Sequence, residues 1–439
     1  MEASHGQLTA GVATQSGTGA APETITLKDA LERARANSVE YRAAQTEAGL
    51  RHEDKVIARS TLLPNVNYRT EFIYTEPTQP SSAQARQDVM GGTPRFVANN
   101  AVHEYVALGN AHQDVSGALF EDYLRTSALE AVAKAKTEIA RRGLVATVVN
   151  NFYELAVAQR KIANISRAVD EANRFLDISQ KLERGGEVAH ADVIKAQIQA
   201  NDRARDGKEA ELALNVARIN LAVLLFKDFN LNYMIVDDLS TPESLPTRDE
   251  VVAAGQKNNP DLAAAFHALR AAGYELVSAK FDYLPSLSFD YNYGLDATHF
   301  ALRTDGLRNV GYSASAQLNL PVWNWFATSA RVKQAGLNRD QAQVELNAAQ
   351  KKLIGDLQTR YDEAVASQQE LELLRQSAQL AADSLRLTTM RYQAGESTVL
   401  EVVDAQNTLT TARNALDDGE LRYRVALAGI QTLTGNWNP

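Results

Sequence analysis

Glu401 and Asp404 stand three residues apart in a helical pattern that opens after Gly395. The stretch Gly395 to Gln406 reads Gly-Glu-Ser-Thr-Val-Leu-Glu-Val-Val-Asp-Ala-Gln. Residues three apart on a helix are neighbours, so both carboxylates project from nearly one face. Carboxylates held close raise each other's pKa and attract cations. Set around a common axis, such side chains tune ion passage. A solvated helix face is the commoner fate of an acidic pair at this spacing. A second stretch aligns with the first without gaps: Gly186 to Gln197, reading Gly-Glu-Val-Ala-His-Ala-Asp-Val-Ile-Lys-Ala-Gln.

Other chemistry is sparse. There is no cysteine among the 439 residues, which removes disulfides, thiolate metal sites and cysteine nucleophiles. Seven histidines and four methionines form no cluster, so no metal site and no cofactor are expected. His190 lies in the first turn, where a lone histidine is more often neither ligand nor pH sensor. No phosphate-binding loop, nucleophile elbow or zinc signature occurs, so an enzyme is not expected. Forty-five basic against 54 acidic residues give a net charge of −9 with no basic block, which argues against nucleic acid.

The elements that would position the acidic pair come as one unit written twice. Thr26-Leu-Lys-Asp29 and Thr247-Arg-Asp-Glu250 read as capping boxes opening short helices. A helix ends at each of Leu63-Pro64 and Leu284-Pro285, because proline disfavours helix before itself. After each proline the period changes to two, giving strands over 65–75 and 286–294. In the latter, Leu287, Phe289, Tyr291 and Tyr293 alternate with Ser288, Asp290 and Asn292. A third strand spans 309–321, and a fourth, weaker in pattern and held by symmetry, spans 105–119. Proline-free helical runs then cover about 122–184 and 326–392, the first being roughly 95 Å long at 1.5 Å per residue. Ala364, Leu371, Ala378 and Leu385 mark a heptad-like seam in the second.

The division expected is therefore a disordered tail over 1–24, a first repeat over 25–227 and a connecting equatorial segment over 228–246. A second repeat over 247–435 and a short tail over 436–439 complete it. No apolar run reaches the length of a transmembrane helix. The first residues also lack the apolar core of a signal peptide. Either a signal has been removed before residue 1, or the chain is cytoplasmic.

From about Thr24 to Gly435, the chain resembles the TolC-like outer-membrane efflux channels. The duplication, the Leu-Pro junctions, the strand exits at Leu119-Phe120 and Val322-Trp323-Asn324, and both glycine turns carry the likeness. The resemblance implies a mainly α fold with β: a coiled-coil helical barrel and four strands per protomer, closing a twelve-stranded β-barrel in a homotrimer. It places the protein in the outer membrane of a Gram-negative bacterium, with a tunnel reaching into the periplasm. The strands fit that setting by themselves, since a water-filled barrel needs a polar lumen and an apolar lipid face. Tyr283, Trp323 and Trp325 suit an interfacial aromatic belt.

By the same resemblance, Gly186, Glu187, Gly395 and Glu396 mark the tip turns where a periplasmic adaptor docks. Glu401 and Asp404 match an acidic ring at the entrance, and Asp192 and Tyr392 match positions that lock the closed state. Ser397 stands where a family member carries arginine. The function implied is a passive efflux or type I secretion exit duct, gated at its tip and supplied by an inner-membrane pump and an adaptor. The alternative is a soluble periplasmic coiled-coil scaffold or adaptor, which accounts for the helices but not for four two-faced strands.

Overall fold

The computed structural model describes residues 23–74, 103–228, 232–241, 244–297 and 309–435. The tail residues 1–22 and 436–439, and most of the two loops expected between strands, lie outside the described residues. The described residues form two compact units, each assembled from both halves of the sequence. The first takes in 23–38, 142–251 and 358–435; the second takes in 39–141 and 252–357. The compact bodies thus cut across the sequence repeats instead of following them.

In the first unit, strand β1 (Glu23–Ile25) pairs in parallel with β4 (Tyr233–Ile235). Glu23 and Thr24, placed by sequence in the tail, belong to this pair. Helix α1 (Leu27–Asn37) follows, opened by a capping box in which Thr26 and Asp29 serve each other's backbone amides. Its buried Leu31 packs into a core with Ile25, Val148 and Phe152 of helix α3 (Gly117–Gly185) and Leu221 and Leu225 of α4 (His190–Leu225). Fully burying side chains of this size stabilises by about 1.5–3 kcal/mol each. Asn37 ties α1 to the end of α4 by donating to the Leu225 carbonyl at 2.5 Å.

The connecting segment beyond β4 is pinned to the same unit by two arginines. Arg160 of α3 reaches Asp237 with two nitrogens, at 2.5 and 2.8 Å. Buried Arg424 of helix α8 (Val399–Thr434) donates to the carbonyls of Asp238, Leu239 and Thr241. Asp417, two helical turns away, is held by Asn164 at 2.8 Å. Burial pushes the Asp417 carboxyl above its ordinary range, against the opposing pull of Arg160 and Asn164.

The second unit holds α2 (Val39–Ser60), α6 (Pro260–Phe281), the early part of α3, the early part of α7 (Ala327–Gln393) and a four-stranded sheet. The 11-residue α5 (Arg248–Asn258) leads into α6 from the first unit. Helices α2 and α6, of 22 residues each, stop short of Leu63-Pro64 and Leu284-Pro285. Leu63 and Leu284 instead bond to carbonyls three residues back, the tightened last turn that precedes a proline. Glu130 of α3, 4% exposed, gathers Lys134, Lys55 and His52 at 2.6, 2.9 and 3.1 Å. Those bonds, Lys134 foremost, lower its carboxyl from 4.5 to about 2 against the cost of burial.

The sheet runs in the order β2 (Asn65–Tyr74), β3 (His103–Val115), β5 (Ser286–Ala297), β6 (Val310–Asn319), antiparallel throughout. The strand expected over 105–119 ends at Val115, and residues 117–119 already belong to α3. Ser116 explains the early turn: its hydroxyl accepts from the Leu119 amide at 3.3 Å, as an N-cap does. The strand with the weakest pattern is central, bonded on both sides. Its Gly109 stands opposite Tyr68 and Tyr293, and its Ala111 opposite Tyr291, so small residues make room for rings.

Candidate functional site

Two features of the fold could serve transport: the tip of the helices and the two faces of the sheet. At the tip, α3 ends at Gly185 and α7 at Gln393, and each passes through a glycine turn of one construction. Gly186 and Gly395 have φ of 77° and 76°, the left-handed region where a side chain is strained. In the first turn the Gly186 amide donates to Glu183 and the Glu187 amide to Leu182, both at 2.9 Å. In the second, Gly395 donates to Tyr392 at 3.1 Å and Glu396 to Arg391 at 2.9 Å. These crossed bonds are the Schellman arrangement, which satisfies the last carbonyls of each helix.

The helices that leave the turns start differently. Helix α8 opens on a capping box between Thr398 and Glu401. Helix α4 opens at Ala189 with no side-chain cap. There His190 instead reaches back across the turn, its Nδ1 2.6 Å from Glu183 Oε1. Both hairpins bury into one core that includes Phe175, Ala196, Leu385, Tyr392, Val399 and Val402. The two aligned stretches of sequence are thus brought together.

Each residue singled out at the tip has a definite place. Glu401 takes hydrogen bonds from Ser397 Oγ at 2.8 Å, from the Thr398 amide at 3.3 Å and from Thr398 Oγ1 at 3.1 Å. Ser397 first, then Thr398, hold its carboxyl below the usual range. Asp404 is exposed and has no hydrogen-bond or ion-pair partner among the described residues. Arg391 of the preceding helix stands 3.9 Å from Glu401. Glu187 and Glu396 each directly follow the turn glycine, where an apolar residue usually packs.

Tyr392 is buried, with its ring 5.0 Å from that of Phe175 and its hydroxyl 3.2 Å from Ser179 Oγ. Asp192 pairs within its own helix with Lys195 at 3.4 Å. The structure therefore joins Tyr392 to Ser179 and leaves Asp192 elsewhere. Ser179, Phe175 and Thr398 had no signal that singled them out, except that Thr398 precedes Glu401 at capping-box spacing.

The register sorts the sheet into two faces. One carries Val66, Tyr68, Phe72, Ala107, Ala111, Phe289, Tyr291, Tyr293, Tyr312 and Leu318. Tyr312 is 77% exposed, and Tyr291 stacks on it at 6.3 Å. The other face crosses all four strands with Asn67, Asn110, Asn292 and Ser313 in one row. Asn110 donates to Asn292 at 2.9 Å and Asn292 to Ser313 at 3.4 Å. In an adjacent row, His112 lies 2.7 Å from Asp290 and 3.2 Å from Asp114. β2 and β6 each have one unpaired edge, for the sheet does not close on itself.

Exposed aromatics gather where the sheet meets α7. Trp323 lies edge-on to Trp325 at 5.8 Å and to Phe326 at 5.3 Å. Trp325 is 82% exposed, and Trp325 and Phe326 have φ of 56° and 67°. Such angles are strained for bulky residues, so α7 starts at Ala327 and not at Phe326. Tyr283 is also exposed. No helix among the described residues is long and apolar enough to cross a membrane, which says nothing of strands. No cluster of histidine and carboxylate side chains suited to a metal occurs among the described residues.

The described residues thus include, in one unit, a two-faced antiparallel sheet with two open edges and, in the other, two long helices that each end in a glycine turn. Residues 253–436 match the family model described as outer membrane efflux protein. The chain is 22% identical to Outer membrane protein TolC of Vibrio cholerae over 306 residues, covering 69% of this chain and 70% of that protein. It is 24% identical to Outer membrane efflux protein BepC of Brucella suis, covering 95% of this chain and 87% of that one. The fold matches the open state of the Neisseria gonorrhoeae MtrE outer membrane channel with a TM-score of 0.77 at 18% identity, over 93% of this chain and 88% of that one. In sequence and in fold, the chain is similar to TolC-like outer membrane efflux proteins.

Proposed function

We propose that this protein is the passive exit duct of an efflux or secretion system in the outer membrane of a Gram-negative bacterium. Three copies would close their sheets edge to edge into one barrel of twelve strands. The observation that carries this reading is the four-stranded sheet with one apolar face, one polar face and two open edges. An open edge beside an exposed apolar face invites pairing, and closure into a barrel removes the edges. With the apolar face toward lipid, the Asn67–Asn110–Asn292–Ser313 row lines a wet lumen. Trp323, Trp325 and Tyr283 then sit at the interface, where amphipathic rings are favoured.

The helical tip is the periplasmic gate and the docking point for an adaptor that couples the duct to an inner-membrane pump. Names of relatives support this setting: they include Proteases secretion protein PrtF and Pyoverdine export outer membrane protein OpmQ. Gly186, Glu187, Gly395 and Glu396 present the turns. Tyr392, Asp192 and Ser397 are the candidates for the lock, and the buried contact of Tyr392 with Ser179 supports the first of them. In the acidic ring Asp404 is the unengaged carboxylate, because Glu401 is committed to its own cap.

The test is reconstitution in planar bilayers after purification in detergent. Trimers that dissociate on heating, and discrete conductance blocked by divalent cations from the tip side, are expected. Asp404→Asn should relieve most of that block. A monodisperse monomer, soluble without detergent and silent in bilayers, would sink the duct reading. Unchanged block in Glu401→Gln/Asp404→Asn would remove the ring alone.

A further inference from the structure

One side chain in the core at the tip is unlike its neighbours. Val399, Val402 and Leu409 of α8 are buried in the core shared with Phe175, Ala196 and Tyr392. Positions 399, 402, 406 and 409 advance by three and four residues, so they form one heptad seam. Position 406 in that seam is a glutamine, and it is 5% exposed. Its side-chain Oε1 is buried and has no hydrogen-bond partner among the described residues. Two donors of α4, Gln199 Nε2 at 3.0 Å and Arg203 Nη2, converge instead on Asn407 Oδ1, the next residue along. The equivalent glutamine of the first hairpin, Gln197, is exposed and donates to Asn201 at 3.2 Å. Of the two aligned stretches, only the second turns its glutamine into the core.

A buried amide oxygen without a donor gives up its bonds to water and gains none, so it weakens the packing that holds it. A polar residue on an apolar seam costs stability, and its best-attested use is to set register or serve a switch. A leucine at 406 would complete the seam without that cost. We propose that Gln406 is a positioning residue that sets the opening equilibrium of the tip. It destabilises the packed arrangement, and movement of α8 away from its neighbours returns the stranded oxygen to water. Gln406 touches no transported molecule in this role; it acts through the seam of Val399, Val402 and Leu409. The role rests on the tip being the gate of the duct.

The experiment compares the full chain and its variants in detergent by hydrogen exchange, and in bilayers by single-channel recording. Gln406→Leu nearly keeps the volume and removes the stranded oxygen. Amides around the Gly186 and Gly395 turns should then exchange about tenfold more slowly, as expected when one unserved buried polar group is removed. Open probability should fall by a similar factor. The same change at the exposed equivalent, Gln197→Leu, should alter neither. Unchanged or faster exchange in Gln406→Leu overturns the proposal, because a glutamine well bonded in the core would be missed. So does slower exchange with an unchanged open probability, or an equal effect of Gln197→Leu. A silent unmodified protein sinks the duct reading instead, and the exchange rates then still decide whether Gln406 loosens the seam.

Discussion

Tyr392 offers the sharpest test of how the tip is held. Its hydroxyl and Ser179 Oγ are 3.2 Å apart, and both side chains are buried. A neutral hydrogen bond of this kind contributes about 1 kcal/mol, which is roughly a fivefold change in an opening equilibrium. Tyr392→Phe keeps the ring against Phe175 and removes only the hydroxyl. Amides around the two glycine turns should then exchange with solvent about fivefold faster in hydrogen-exchange measurements, since local opening sets their rate. Ser179→Ala should do the same. The double variant should add little, because both single changes break one bond. Tyr392→Ala also empties the ring's space, at about 3–5 kcal/mol, and should raise the open probability of single channels. Additive effects of the two small substitutions, or protected amides in Tyr392→Ala, would refute the assignment of this bond as the lock.

Three further outcomes follow from the geometry. Gly395→Ala places a Cβ at φ 76°, so it should destabilise the second turn by about 1–2 kcal/mol and speed exchange of its amides, with Gly395→Asn milder. Glu130 has a lowered folded pKa, so its stabilisation is present above 4.5 and is lost as pH falls toward about 2. Glu130→Gln should lower the melting temperature in detergent and flatten its pH dependence across that window. The loss should be about 1–2 kcal/mol, because Lys134 and His52 are largely solvated and screened. On the sheet, Tyr293→Arg should block membrane assembly, as a charge on a lipid face is unfavourable by about 2–4 kcal/mol at mid-depth. Its neighbour Asn292→Arg should assemble and lower conductance; equal behaviour of the two would invert or abolish the face assignment.

Much of the local structure was readable because it is written in short periods. The alternation of Leu287, Phe289, Tyr291 and Tyr293 required one apolar face. Pro64 and Pro285 required the helices to stop. Gly186 and Gly395 fell where left-handed turns were needed. The β1–β4 pair escaped because three residues per strand carry no period. Arg160 meets Glu420 across 260 positions, and such a contact has no local signature. Ser116, by contrast, was a legible cap that would have moved the start of α3. At the tip, the i, i+3 spacing read Glu401 and Asp404 as equals. Thr398, one turn earlier, makes them unequal by drawing Glu401 into the backbone.

The placement of β3 and β5 side by side bears on the order in which the chain can fold. The hairpin β2–β3 joins neighbours in sequence, but β3 pairs with β5 from Val115 with Leu287 to Tyr105 with Ala297. Closing such long loops is slow relative to forming helices and hairpins. During synthesis the first hairpin waits, with both its edges bare, until the second half of the chain has emerged. The core around Ile25, Phe152 and Leu221 draws almost wholly on residues before β5 and can consolidate in that interval, ahead of the sheet. Until then its ring-studded face is open to self-association with other copies.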